Sequence, residues 1–189
     1  MIESLLELDR ELILYINNAG NIRWDQFMLF MSEKWVWLPM YIGILSIILR
    51  QFEQDSWVPL VMIIVLITLT DQATSSILKP YFSRLRPCRD EELAELIRLA
   101  GKCGGKYGFA SSHAANTMGL AIFISFFSTR RVGYLLVAWS LTIGFSRVYL
   151  GVHYPGDVMA GFIIGAFIAF VLFRLMLLAS PAVAERISR

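Results

Sequence analysis

The chain has 189 residues, enough for one domain and too few for a second of ordinary size. A hydrophobic fraction of 57% and a mean hydropathy of +0.60 exclude an ordinary soluble domain, and the charged fraction of 17% lies below the roughly 25% of soluble proteins. The net charge of +2 excludes a basic surface built for nucleic acid.

From the N-terminus, Leu5, Leu6, Leu8, Leu12, Ile13, Leu14 and Ile16 alternate with acids and Arg10 up to the stop Asn17-Asn18-Ala19-Gly20. This predicts an amphipathic helix, lying in the membrane interface or serving as a plain cytosolic cap helix. The charges Glu3, Glu7, Asp9, Arg10 and Glu11 argue against a cleavable signal. Trp24 to Lys34 continues as a second interfacial piece. Five apolar runs follow: Trp35–Leu49, Trp57–Leu78, Ala114–Phe127, Val132–Phe145 and Val158–Leu178. The first is short, and is expected to begin within Phe27–Met31 to reach the roughly 20 residues a bilayer requires. Trp35, Trp37 and Trp57 mark run ends as an aromatic belt does. The expectation is an all-α, integral membrane bundle of five spanning helices, or six if the amino-terminal helix inserts, forming one domain over 1–189.

Counting spans has a consequence for the polar residues. If the second span ends at Lys79, the third starts at His113, the fourth ends near Arg147 and the fifth starts near Asp157. Ends and starts alternate, so these residues emerge on one membrane face. The other face carries Arg50, Arg130, Arg131, Arg174, Arg186 and Arg189 near span ends, with few acids (Glu53, Asp55, Glu185). The short loop Ser128-Thr129-Arg130-Arg131 is a positive-inside signal. The polar clusters are therefore expected outside the cytoplasm, on the periplasmic side of the inner membrane. Cys88 and Cys103 fall in the long loop on that same face. In an oxidising compartment they would close it with a disulfide; two free thiols are the alternative. Between them Asp90–Leu99 reads as a short surface helix, and Gly101, Gly104, Gly105 and Gly108 as a flexible approach to Ser111.

Three clusters carry the chemistry. Lys79 and Arg86 stand seven residues apart in a segment braced by Pro80 and Pro87. A lone lysine at a span end snorkels to headgroups, but two braced cations beside a bilayer mark a functional site. Arg86 presents a planar fork to an anion and Lys79 a point charge; Arg84 is expected to face headgroups. Ser111-Ser112-His113 opens a helix, where serines cap and where an anion is favoured. Asn116, one turn on, is assigned to packing. The third cluster places Arg147, His153 and Asp157 within eleven residues, with the carboxylate spaced to orient the imidazole. Asp157, Gly161, Gly165 and Ala169 form a stripe of small residues along which another helix can approach. Asp71 stands inside the second span; pairing within the bundle and satisfaction by a neighbouring hydroxyl are both open.

Together the clusters resemble the three signatures of the type 2 phosphatidic acid phosphatase (PAP2) superfamily: K-x6-R-P, P-S-G-H and S-R-x5-H-x3-D. Lys79–Pro87 and Ser146–Asp157 match the first and third completely. The second departs: Ala110 stands for the proline and Ser112 for the glycine. The resemblance implies a membrane phosphatase that uses neither metal nor cofactor. His153 would attack phosphorus and form a phosphohistidine. Asp157 would orient it, and His113 would protonate the leaving group and then activate water. Lys79, Arg86, Arg147, Ser111 and Ser112 would hold the phosphate oxygens. The implied substrate is a lipid phosphate of the bacterial envelope: lipid A, undecaprenyl pyrophosphate, phosphatidylglycerol phosphate or phosphatidate. No obligatory protein partner is expected. A lipid phosphotransferase shares all these residues; a non-catalytic lipid-phosphate binder or flippase would use the cations alone.

Overall fold

The computed structural model describes residues 2–188. Helix α1 (Ile2–Asn18) leaves Leu5, Leu6, Leu8 and Leu12 exposed and buries Ile13 and Asn17. A buried amide requires partners. Asn17 has them: its Nδ2 donates to the Tyr149 carbonyl at 2.7 Å, and its Oδ1 accepts the Arg98 N–H at 2.7 Å. Helix α2 (Ile22–Ser32) follows, capped by Asn21, whose Oδ1 accepts the amides of Arg23 and Trp24.

Glu33 is extended, so the chain turns there before a 3-10 turn, Lys34–Trp37, enters α3 (Leu38–Phe52). The first span therefore does not begin within Phe27–Met31. It runs Lys34–Asp55 and gains its length at the far end. The charged pair Glu33-Lys34 separates α2 from the spanning helix. Helix α4 (Trp57–Asp71) passes through a wide helical stretch, Gln72–Leu78, into α5 (Lys79–Phe82), giving one continuous 26-residue span. In the wide stretch the Lys79 amide reaches five residues back, to the Thr74 carbonyl.

Helices α6 (Ser112–Ser125), α7 (Arg130–Tyr149), α8 (Pro155–Ala179) and α9 (Pro181–Ser188) complete the described chain. Among the described residues four helical stretches are long and apolar enough to cross a membrane. The fifth bundle helix, α6, has only 14 residues and is enclosed, with Ala114, Ala115, Met118, Gly119, Leu120, Ala121, Phe123 and Ile124 all buried. It packs against α4, α7 and α8. In lipid the hydrophobic effect does not hold helices together, so close packing of small residues carries that role. A Cβ on Gly161 would lie 2.5 Å from the Ser111 carbonyl oxygen, and one on Gly165 would collide with the Ala115 carbonyl. The stripe Asp157, Gly161, Gly165 and Ala169 is buried and faces α6. At the far end of the bundle Phe123, Phe127 and Phe52 meet edge to face. There Arg186 of α9 pairs with Glu53 and Asp55.

The spans end and start as the count requires: α5 ends at Phe82, α6 begins at Ser112, α7 ends at Tyr149 and α8 begins at Pro155. Between α5 and α6 the chain is tied down. Cys88 and Cys103 form a disulfide with Cα atoms 6.0 Å apart. The Arg86 amide donates to the Lys106 carbonyl and the Gly108 amide to the Arg84 carbonyl, so the glycine-rich approach is paired rather than free. Asp90–Leu99 is a string of turns, not a regular helix, drawn inward where Leu93 and Ile97 are buried against Ile13 of α1.

Candidate active site

The turn between α7 and α8 needs Gly151, whose φ of +74° lies in the left-handed region. The chain then folds back so that the amides of Val152 and His153 both donate to the Arg147 carbonyl at 3.2 Å. Pro155 occupies the first turn of α8, where its missing N–H costs nothing. Asp157, at the third helical position, reaches back: its Oδ2 accepts the Tyr154 amide at 3.1 Å and lies 3.3 Å from His153 Nδ1. One carboxylate oxygen thus caps its own helix and contacts the imidazole. Both side chains are buried. Burial, followed by the charges of Arg86, Arg147 and Lys79, holds the His153 imidazole well below its ordinary value, while a hydrogen bond with the Gly108 backbone opposes the shift. The imidazole is therefore neutral at neutral pH.

The start of α6 lies against the start of α8, with the Ser111 amide donating to the Asp157 carbonyl at 2.9 Å. Ser111 does not use its side chain as a cap: its Oγ is buried with no hydrogen-bond partner among the described residues. Ser112 Oγ accepts from Lys79 Nζ at 2.7 Å and lies within 3 Å of the Thr74 and Ser75 hydroxyls. The wide stretch of the second span thus delivers its hydroxyls and its lysine to one serine. Arg86 is fixed on the loop by Nε to the Tyr107 carbonyl at 3.2 Å and Nη1 to the Val152 carbonyl at 3.3 Å. Gly108 admits the carboxylate, since a Cβ there would lie 2.7 Å from Asp157 Oδ2. Arg147 leaves a buried Nε with no hydrogen-bond partner among the described residues.

His113 lines two cavities. One, of about 600 Å³, is mostly apolar and runs between α3, α4 and α6 past Tyr41, Ile44, Ile48, Ile63 and Leu120. The other, of about 650 Å³, is mixed, with Arg147, Glu33, Lys34 and Lys102 beside Leu29, Trp35, Leu150 and Val152. Asp71 borders the apolar cavity, and a neighbouring hydroxyl answers the question left open about it: Ser75 Oγ donates to its Oδ1 at 3.4 Å. Asn116 packs as expected, its Oδ1 accepting from Thr70 at 2.6 Å.

Two residues depart from the sequence reading. Arg84 does not face headgroups. Its Nη1 donates to Asp157 Oδ1 at 3.0 Å, its Nη2 to Asp9 Oδ2 at 2.7 Å, and its guanidinium lies 3.9 Å over the Tyr154 ring. Two carboxylates at fork distance outcompete lipid phosphate for an arginine. Asp9 reads in the sequence as one acid among several on an amphipathic helix, yet it is buried. A signal was present: Asp9, Ile13 and Asn17 recur every four residues, so they share a face.

The profile of the PAP2 superfamily matches residues 60–180. A protein of Bacteroides thetaiotaomicron described as a lipid A 4'-phosphatase is 44% identical over 171 residues, spanning 88% of this chain and 76% of that one. One of Porphyromonas gingivalis with the same description is 31% identical, spanning 94% of this chain and 76% of that one. The crystal structure of Aquifex aeolicus LpxE superposes with a TM-score of 0.67 at 27% identity, covering 87% of this chain and 93% of that one. The PAP2-type phosphatidylglycerolphosphate phosphatase of Bacillus subtilis shares the fold, with a TM-score of 0.70 at 18% identity, over 91% of this chain and 86% of that one.

Proposed function

The chain belongs to the PAP2 superfamily, and from that premise we propose that it removes the 4'-phosphate of lipid A through a phosphohistidine on His153. It is an integral membrane protein and a phosphatase of lipid phosphates. A binder would have no use for two imidazoles and an orienting carboxylate.

The observation that carries the mechanism is the buried His153–Asp157 contact, together with polar groups that find no partner among the described residues. Asp157 accepts from Nδ1, which fixes the tautomer with a lone pair on Nε2. Nε2 attacks phosphorus as the bond to the leaving oxygen breaks, and His113, protonated once the anionic phosphate is bound beside it, gives that oxygen a proton. His113 then takes a proton from water, which attacks the phosphohistidine and releases phosphate and free His153. Lys79, Arg86 and Arg147 face the charge on the three equatorial oxygens, with Ser111 Oγ and Arg147 Nε as unpaired donors. Ser112, where the family signature has glycine, holds the Lys79 ammonium in place and keeps its backbone amide.

The two cavities that meet at His113 support a lipid substrate, with an acyl chain in the apolar one and the sugar headgroup in the mixed one. The two lipid A 4'-phosphatase relatives support that headgroup over the other lipid phosphates. The disulfide and the arginines of the opposite end support a site on the periplasmic face. Residues 1–189 act as one unit in this reading, because α1 and α2 cover the site end of the bundle.

The test is phosphate release by purified protein from a panel of lipid phosphates at equal mole fraction in detergent. Bisphosphorylated lipid A is expected to be the best substrate and to lose the 4'-phosphate. His153→Ala is expected to lose several orders of magnitude of rate. Preferred release from undecaprenyl pyrophosphate would overturn the substrate, and an active His153→Ala would overturn the nucleophile. Phosphate appearing on an added lipid acceptor, rather than in solution, would make the chain a phosphotransferase.

A further inference from the structure

We infer that Asp9, on the amphipathic helix α1, is a positioning residue for the phosphatase reaction, acting through Arg84 on Asp157. The inference rests on the roles proposed above for His153 and Asp157.

Asp157 divides its two oxygens. Oδ2 serves the imidazole and the helix cap, while Oδ1 accepts from Arg84 Nη1 at 3.0 Å. A carboxylate held at both oxygens cannot rotate, so Arg84 determines where Oδ2 points. Arg84 is itself held from two sides, by Asp9 Oδ2 at 2.7 Å and by the face of Tyr154 at 3.9 Å. The other oxygen of Asp9, Oδ1, accepts the Gly156 amide at 2.7 Å, in the first turn of the helix that carries Asp157. Asp9 therefore grips both the guanidinium and the helix start between which the catalytic carboxylate lies. Gly156 permits the grip, because a Cβ there would lie 2.8 Å from Asp9 Oδ2.

The charges explain why Asp9 is needed as an acid. Arg84 stands between two carboxylates that are nearly inaccessible to solvent, 8% exposed at Asp9 and 0% at Asp157. Without the charge on Asp9, the whole of the Arg84 cation falls on Asp157 and draws it away from the imidazole. Asp9 does this from a helix that leaves Leu5, Leu6, Leu8 and Leu12 exposed. Docking of α1 is thus part of assembling the catalytic pair.

The experiment uses the full chain in detergent with a bisphosphorylated lipid A substrate. Asp9→Asn is expected to lower kcat on the order of ten- to a hundredfold, the scale of a small misplacement of a catalytic group, and to leave KM within about twofold. Asp9→Glu, which restores the charge but not the reach, should fall between Asn and the native residue. Asn17→Ala is the control: it loosens α1 at its other end, where Asn17 holds the Tyr149 carbonyl, and should lower thermal stability without lowering kcat. An Asp9→Asn protein with native kcat overturns the inference. So does a loss of kcat that Asn17→Ala reproduces at equal loss of thermal stability. Should Asp9→Asn fail to fold, Asp9→Glu decides: reduced kcat at native melting temperature supports the role, and native kcat overturns it. His153→Ala is measured alongside. If it stays active, the nucleophile reading fails; if it is dead while Asp9→Asn is fully active, only the role of Asp9 fails.

Discussion

Ser111 donates its backbone amide to the Asp157 carbonyl at 2.9 Å, tying the first turn of α6 to the first turn of α8. These two helices carry His113 and Asp157, and the loop before α8 carries His153. The spacing of the proposed catalytic groups is therefore set by how closely α6 and α8 pack.

That makes Gly165 a remote determinant of rate. It lies two turns below Asp157, and any Cβ there would strike the Ala115 carbonyl of α6. Gly165→Leu is expected to wedge the helices apart, costing about 1–3 kcal/mol as overpacking does. A displacement near 1 Å at the site lowers kcat on the order of a hundredfold. Gly43, which has open space around it, is the matched control, and Gly43→Ala should change neither quantity. Phosphate release and thermal unfolding in detergent measure both.

The pH dependence follows from His153. Its folded value lies below the ordinary 6.5, chiefly through burial and then through Arg86, Arg147 and Lys79. In the free enzyme the imidazole stays neutral as the pH falls through 6.5, so the acid limb of kcat/KM assigned to this group lies below the ordinary imidazole range. Removing one of the repelling charges should raise it. Arg147→Gln is expected to lower the rate and, separately, to move that limb to higher pH. For stability the sign is also set: with the folded value depressed, the unfolded chain takes up a proton first. Stability therefore declines as the pH falls below about 6.5 and levels off beneath the folded value. His153→Gln should reduce that decline in thermal unfolding between pH 7 and 5.

The Cys88–Cys103 bridge closes a loop of 15 residues, for which chain entropy gives about 3 kcal/mol. Its loss should reach the site as well, because the bridge stands between Arg86 and the Lys106–Tyr107 stretch of backbone that holds it. Tyr107 accepts from its guanidinium, and a Cβ on Gly104 would lie 3.5 Å from its Nη1. Reduction, or Cys88→Ser with Cys103→Ser, is expected to lower the melting temperature and raise KM more than it lowers kcat. In intact cells, a membrane-impermeant maleimide should label the single thiol of Cys88→Ser if the site faces the periplasm.

A chelator is expected to leave turnover intact. Among the described residues no group of three His, Cys, Asp or Glu side chains stands together in a way that could hold a metal ion. Vanadate, which adopts the geometry of a transferring phosphoryl group, is expected to inhibit in competition with substrate. Phosphate-release assays with each reagent measure this, and strong chelator sensitivity would count against the mechanism.

Much of this molecule is local and therefore readable in the chain itself. Run lengths and terminal tryptophans locate the spans. The parity of their ends places Lys79, His113, Arg147 and Asp157 at one end of the bundle, a matter of counting rather than of geometry. His153 and Asp157 are four residues apart, and Gly161, Gly165 and Ala169 continue their stripe, because helical periodicity reports which residues share a face. What tertiary structure alone decided was which partner each charged group found. Arg84 looked like a headgroup ligand and Asp9 like one more acid on an interfacial helix, yet each satisfies the other across 75 residues of chain. Asp90–Leu99 had helical composition, but burial of Leu93 and Ile97 against α1 drew it into turns. Ser111 has the sequence of a cap, yet against α8 its hydroxyl has no partner among the described residues. A covalent sequence records periodicity and type. The pairing of buried charges depends on the distances at which separate helices come to rest, and those are set only when the small residues between them are in contact.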